Sequence, residues 1–290
     1  MNRKIRFWCM LFFISGAAFF WTGCGKASEP DGQSRSSSGS NQTSAPESPR
    51  ESVVQSLLPQ ASGTVVYGNE TISIDASNSG EGYVMVKYAG ASEQVRLRIT
   101  IPAGTVYTYA LAIGQYESFP LTGGNGSYHI EVLEHAYDDM YAMAFSQDME
   151  VALGDEFKPF LYPNQYAWYT QESQAVQYGI QLSDQSSDDL SYVENVYHYI
   201  IENITYDKEK AESVQSNYLP NIDETMATGK GICFDYASLM TAMLRSQGIP
   251  TKLEIGYSGE AYHAWISVYL KEAGWVDNVI EFDGTDWTLV

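Results

Sequence analysis

The sequence predicts an α+β chain in which a β-sandwich-like region is followed by a helix-and-sheet region, and three observations carry that prediction. Across residues 53–154 apolar side chains recur with period two, as in Tyr83-Val84-Met85-Val86-Lys87-Tyr88 and Val95-Arg96-Leu97-Arg98-Ile99-Thr100-Ile101, and Gly, Asn, Asp or Pro bounds each run. Across residues 188–204 the period changes to that of a helix, with Leu190, Val193, Val196, Tyr197, Ile200, Ile201 and Ile204 on one stripe. Alternation then returns at residues 252–257, 262–270 and 275–282.

Taken in order, residues 1–23 place Arg3, Lys4 and Arg6 before an apolar run from Phe7 to Trp21. That is the plan of a secretory signal, and the run is short for a spanning helix of about 20 residues. The small residues Thr22-Gly23 before Cys24 resemble the end of a lipoprotein signal, which implies a lipid on Cys24 and a chain held to the outer face of the cell membrane. Trp21 stands where that pattern prefers an aliphatic residue. Residues 24–52 are mostly Ser, Gly, Pro, Asn and Gln; too poor in apolar side chains to offset the entropy of ordering, they read as a flexible stalk.

Residues 53–155 read as the β-sandwich-like domain, with strands around Val65, Ile72, Val84, Leu97, Tyr107 and Ile130 and a Gly123-Gly124-Asn125-Gly126 turn before the last of them. Its many tyrosines are expected in the core or in cross-strand pairs. Residues 156–290 form the second domain. Here an aromatic, proline-punctuated connector (Phe157, Pro159, Phe160, Tyr162, Pro163) leads to the 188–204 helix, then to a loop over residues 206–230, a helix starting near Cys233 and ending before Gly248-Ile249-Pro250, and three strands. The formal net charge of −20 argues against a surface that grips nucleic acid or an anionic membrane. No D-x-[DN]-x-[DN]-G loop for calcium is present, and no metal or other cofactor is expected.

Of three cysteines, only Cys233 lies outside the first 24 residues, so it has no internal disulfide partner. It sits in Gly229-Lys230-Gly231-Ile232-Cys233-Phe234-Asp235-Tyr236-Ala237, directly before the apolar run Leu239, Met240, Met243, Leu244. A thiol at a helix N-terminus meets unpaired backbone N–H groups and the positive end of the macrodipole, which leads one to expect a pKa below the free value of about 8.5. Of the four histidines His263 is the best base, lying on an alternating segment with Trp265, Ser267 and Tyr269. Free cysteines are most often small buried hydrophobes, and a strand histidine often serves a structural hydrogen bond. The coincidence of loop glycines, helix start, lone thiol and downstream histidine favours chemistry.

Gly231-x-Cys233-x-Asp235-Tyr236-Ala237 and His263-Ala264-Trp265 resemble the Cys and His motifs of the transglutaminase-like superfamily, over about the last 130 residues. The resemblance implies a papain-like core in which a Cys helix packs on an antiparallel sheet, with Cys233 the nucleophile, His263 the base and an acid on the following strand. That acid often stands in Asp-Pro-Thr, and no Asp-Pro follows His263. Asp283, before Gly284, reads first as a hairpin turn, and Asp277 is the alternative. The expectation is that the true acid lies beyond Val290 and that the chain is truncated. What the resemblance implies is thiol-dependent acyl transfer on peptide or protein amides at the cell surface, hydrolytic rather than crosslinking because an exposed site admits water. The alternative is a catalytically silent scaffold that uses the same fold to bind surface peptides or glycans.

Overall fold

The computed structural model describes residues 50–215, 217–258, 261–282 and 287–288. Cys24, the signal segment, the stalk up to residue 49 and Asp283 lie outside the described residues.

Eight strands come first: β1 Val66–Gly68, β2 Ile72–Asp75, β3 Tyr83–Tyr88, β4 Val95–Thr100, β5 Val106–Ala110, β6 Tyr116–Pro120, β7 Gly126–Tyr137 and β8 Met140–Val151. They form two four-stranded antiparallel sheets, ordered β1-β2-β3-β6 and β5-β4-β7-β8. Alternation explains the pairing: Ile72, Ile74, Val84, Val86 and Tyr88 of one sheet share a core with Leu97, Ile99, Ile130 and Val132 of the other. Tyr88, Tyr109 and Tyr128 are buried in that core as expected, whereas Tyr107 and Tyr137 face solvent. Two strands carry no clear sequence signal. β6 is short, and β8 is an outer strand whose apolar run Met140–Phe145 does not alternate with polar residues. The β7–β8 hairpin turns at Asp138, whose φ of 48° is the left-handed conformation that Asp tolerates better than most residues.

The second region is built around one helix. In order it holds α1 Gln174–Asp184, α2 Asp189–Asn203, β9 Thr205–Tyr206, α3 Lys208–Ser213, α4 Ile222–Thr228, β10 Lys230–Gly231, α5 Cys233–Ser246, β11 Thr251–Ser258, β12 Ala261–Leu270, β13 Gly274–Phe282 and β14 Trp287–Thr288. The last four form an antiparallel sheet in chain order. α2 matches its expected limits because Asp188 caps it, accepting from the Ser191 backbone N–H at 2.7 Å. The expected loop over residues 206–230 is corrected: it holds α3, α4 and a parallel β9–β10 bridge. Helices of six and seven residues carry too few turns to show a period, and their capping residues, Asp207 and Asn221, are also common in loops.

Every residue of α5 from Asp235 to Ser246 is buried. Leu239, Met240, Met243 and Leu244 meet Val193, Val196 and Ile200 of α2 together with Ala264, Ile266 and Val268 of β12. Burial all round forces the helix's polar side chains inside as well. The Arg245 guanidinium, fully enclosed, donates from Nε at 2.9 Å and from one terminal nitrogen at 2.7 Å to the Thr251 carbonyl, and from the other at 2.8 Å to the Tyr162 carbonyl. Burial depresses its pKa to about 10. The aromatic connector lies on the outer face of the sheet, where Phe157 stacks on Tyr269 at 4.1 Å and Phe160 meets Trp275 edge-on at 5.1 Å.

Candidate active site

The loop before Cys233 is fixed from both sides. Gly229 closes α4 with φ 63°, a left-handed cap that glycine accepts without strain, and its carbonyl accepts from the Thr205 N–H at 2.8 Å. The Gly231 carbonyl accepts from the Asp207 N–H at 2.8 Å, completing the two-residue parallel ladder. A side chain at position 231 would place its Cβ 2.7 Å from the Cβ of Asp235, so the close approach of that aspartate requires glycine there. The Asp235 carboxylate then accepts from the Ile232 N–H at 2.8 Å, one of the donors a helix start leaves unpaired. The Gly-x-Cys-x-Asp spacing is thus the local geometry of one helix start.

Cys233 is the first residue of α5, and its thiol lies within hydrogen-bonding reach of the backbone N–H groups of Ala264 and Phe234. Ala264 follows His263, so the fold joins the two motifs at the sulfur. His263 is half-buried on β12, opposite Gly256 of β11. The expected depressed thiol pKa is corrected. Burial pushes the Cys233 thiol up, and although the backbone amides of Ala264, Phe234 and Cys233 itself favour the thiolate they do not outweigh burial; the nearby Asp235 charge acts in the same sense as burial. Alkylation of Cys233 by iodoacetamide, followed against pH by mass spectrometry of its peptide, is therefore expected to show a midpoint above the ordinary value of about 8.5. A midpoint below that value would mean that a preformed thiolate prevails.

Asp277 is not beside His263. It is exposed and follows Val276, whose partner on β12 is Val268, five residues or roughly 16 Å of strand from the histidine. The irregularity between Ile266 and Val268 hides this offset from any count along the sequence. β13 runs back toward the His263 end of β12, with Ile280 opposite Ile266, so an acid from that strand would come from its C-terminal end. Three groups around the helix start also go unmarked in the sequence. Lys210 and Tyr218 bind the Asp235 carboxylate, and Tyr206, opposite Gly231, is close enough to Cys233 and Asp235 that their charges add to burial in raising its phenol pKa. Only the short distance from Asp207 to Lys210, the spacing of a cap and first turn, hints at them.

Trp265, two residues past His263, helps line a cavity of about 560 Å³. Tyr107 and Tyr109 of β5, Tyr166, Arg245 of α5 and the Lys252 to Ile255 stretch of β11 also line it. Neither Cys233 nor His263 borders it. Tyr166 nevertheless meets Phe234, the residue after the thiol, with ring centroids 5.7 Å apart and the planes tilted by 58°.

Residues 176–278 match the model of the transglutaminase-like superfamily. The transglutaminase-like segment thus takes in α1 to α5, β11, β12 and most of β13, and contains both motifs. Two curated proteins are similar: the UPF0252 protein MJ1282 of Methanocaldococcus jannaschii, 30% identical over 93 residues, and the uncharacterized protein YebA of Bacillus subtilis, 29% identical over 100 residues. Each match covers 28% of this chain, and 26% and 13% of the two relatives, so the likeness spans only a minor part of either. Among solved structures, a candidate cysteine protease from Cytophaga hutchinsonii aligns with a TM-score of 0.38 and 16% identity, covering 73% of this chain and 67% of its own. A candidate protease from Parabacteroides distasonis aligns with a TM-score of 0.31 and 12% identity, covering 70% and 61%.

Proposed function

We propose that the transglutaminase-like segment performs thiol-dependent acyl transfer on peptide or protein amides, with water as the acceptor. The observation that carries this reading is the lone soluble cysteine at the first turn of α5, its sulfur against the backbone N–H of the residue following His263. In the proposed reaction His263 takes the thiol proton as Sγ bonds to the carbonyl carbon. The Cys233 N–H, unpaired within the helix, donates to the oxyanion. The amine leaves with the proton from His263, and water attacks the thioester to release the acid and the thiol. Because burial holds the thiol protonated at rest, the thiolate forms only as the substrate is attacked rather than in a resting ion pair. The half-buried setting of the thiol leaves water as the acceptor at hand.

The third member proposed is Asp283. Fluorescently labelled casein with dansylcadaverine added as a competing amine tests the whole reading. The expected result is casein cleavage without incorporation of the amine, with Asp283→Asn lowering turnover by about 10⁴, the loss seen when the acid of a serine-protease triad is neutralised. Amine incorporation in place of cleavage would make the protein a crosslinking transferase. Neither product, with Cys233 intact and reactive, would support the silent scaffold, and turnover indifferent to Asp283→Asn would place the acid elsewhere.

The proposal extends to location: a lipid on Cys24 holds the protein at the outer face of the membrane. Support comes from residues 1–52 alone, and none of the described helices is long and apolar enough to cross a membrane. Partition into detergent that Cys24→Ala leaves unchanged would refute the anchor.

A further inference from the structure

Asp235 has more partners than a helix cap needs. An acid at this position of an exposed helix start would accept one backbone N–H and stay in water. Here the carboxylate is fully buried, and Lys210 of α3 brings its Nζ to 2.8 Å from Oδ2. Tyr218 donates to Oδ1 in a short hydrogen bond, and Lys210 Nζ also donates to the Tyr218 oxygen at 2.7 Å while lying 4.5 Å from the centre of its ring. Lys210 belongs to α3, which Asp207 caps directly after the β9–β10 ladder, and Tyr218 follows that helix. A buried carboxylate without a cation is costly, which accounts for a lysine somewhere nearby. It does not account for the place, two residues from a thiol that must become an anion.

We propose that Lys210, braced by Tyr218, is a positioning residue for the Cys233 nucleophile: its ammonium neutralises the Asp235 carboxylate beside the thiol, so that the attacking thiolate forms next to an ion pair rather than a bare negative charge. This rests on the reading of Cys233 as nucleophile. The titratable groups around the thiol are Asp235 on its own helix, Tyr206 on β9, His263 on β12, and Lys210 with Tyr218 behind Asp235; Asp207 caps α3, and Lys230 of β10 is exposed. Of these, the Asp235 charge is the one that opposes thiolate formation in company with burial. The Lys210 ammonium is itself held firmly: burial works against its charge, yet the bonds to Asp235 and Tyr218 prevail and raise its pKa.

The test is the pH profile of Cys233 alkylation by iodoacetamide in the full chain, read on the Cys233 peptide so that Cys9 and Cys24 do not contribute. Lys210→Gln keeps a donor to the carboxylate but removes the charge; its midpoint is expected about one unit higher, so alkylation on the rising limb is about tenfold slower. Lys210→Arg should retain the wild-type profile, Asp235→Asn should move the midpoint down, and the double variant, which removes the pair as a neutral unit, should return close to wild type. A Lys210→Gln midpoint within 0.3 units (about twofold in rate) of wild type, with melting confirming a folded protein, would reduce Lys210 to a structural ion pair and overturn the proposal. Should Lys210→Gln not fold, the comparison of Asp235→Asn with the double variant decides, since equal midpoints would also overturn it. No substrate is involved, so this result and the casein result can fail separately.

Discussion

Replacing Cys233 by serine is expected to lower amide turnover by at least about 10³, and His263→Ala by a comparable factor, with the double variant no worse than either single one. The two side chains act as a unit, one supplying the electron pair and the other removing its proton, so taking away either leaves the other with little to do. A serine hydroxyl has a pKa far above that of even a burial-raised thiol, and a base tuned to a thiol deprotonates it poorly. Because Cys233 is half-buried at the helix start rather than a member of the core cluster, Cys233→Ser should keep the melting temperature. Casein turnover measured with purified variants checks this. Activity retained in Cys233→Ser would mean that the thiol is a spectator and that another group performs the reaction.

The largest effect on stability is expected at Arg245→Ala. That change removes a buried guanidinium which satisfies two carbonyls, Thr251 at the start of β11 and Tyr162 in the connector, and it opens a cavity against α5. Stranding two buried acceptors and losing the packed side chain should together cost about 4 kcal/mol. For a protein of this size that corresponds to a fall in melting temperature of roughly 10 °C. Arg245→Met, which fills most of the volume, should cost less, because a buried charge carries its own desolvation penalty. Thermal unfolding followed by circular dichroism measures both; a loss under about 1 kcal/mol for the alanine variant would mean that water replaces the guanidinium without penalty.

Much of the fold is legible in the amino-acid sequence. The α2 stripe, capped by Asp188, and the strands at residues 95–100 and 262–270 are readable because each buries one face, and a one-faced element writes its period into the sequence; residues 83–88, buried on both faces, read instead as a short apolar run between Gly82 and Gly90. α3 and α4 are not, being too short to show a period, and β8 is not, because its apolar run Met140–Phe145 does not alternate with polar residues. Arg245 and the polar side chains of α5 illustrate the converse: the sequence shows an apolar run, but only the surrounding helices and sheet decide that every side is covered.

At the site the division is sharper. By itself the sequence determined the lone cysteine, the glycines that let Asp235 close on its own helix start, and a histidine thirty residues on, since all three are local chemistry. Tertiary structure alone decided that the thiol is pushed up rather than down, that Asp277 sits at the wrong end of its strand, and that Lys210, 25 residues away from Asp235, supplies its counter-charge. Burial, register and long-range pairing depend on how separate segments meet in a low-dielectric interior, and no spacing within one segment encodes them.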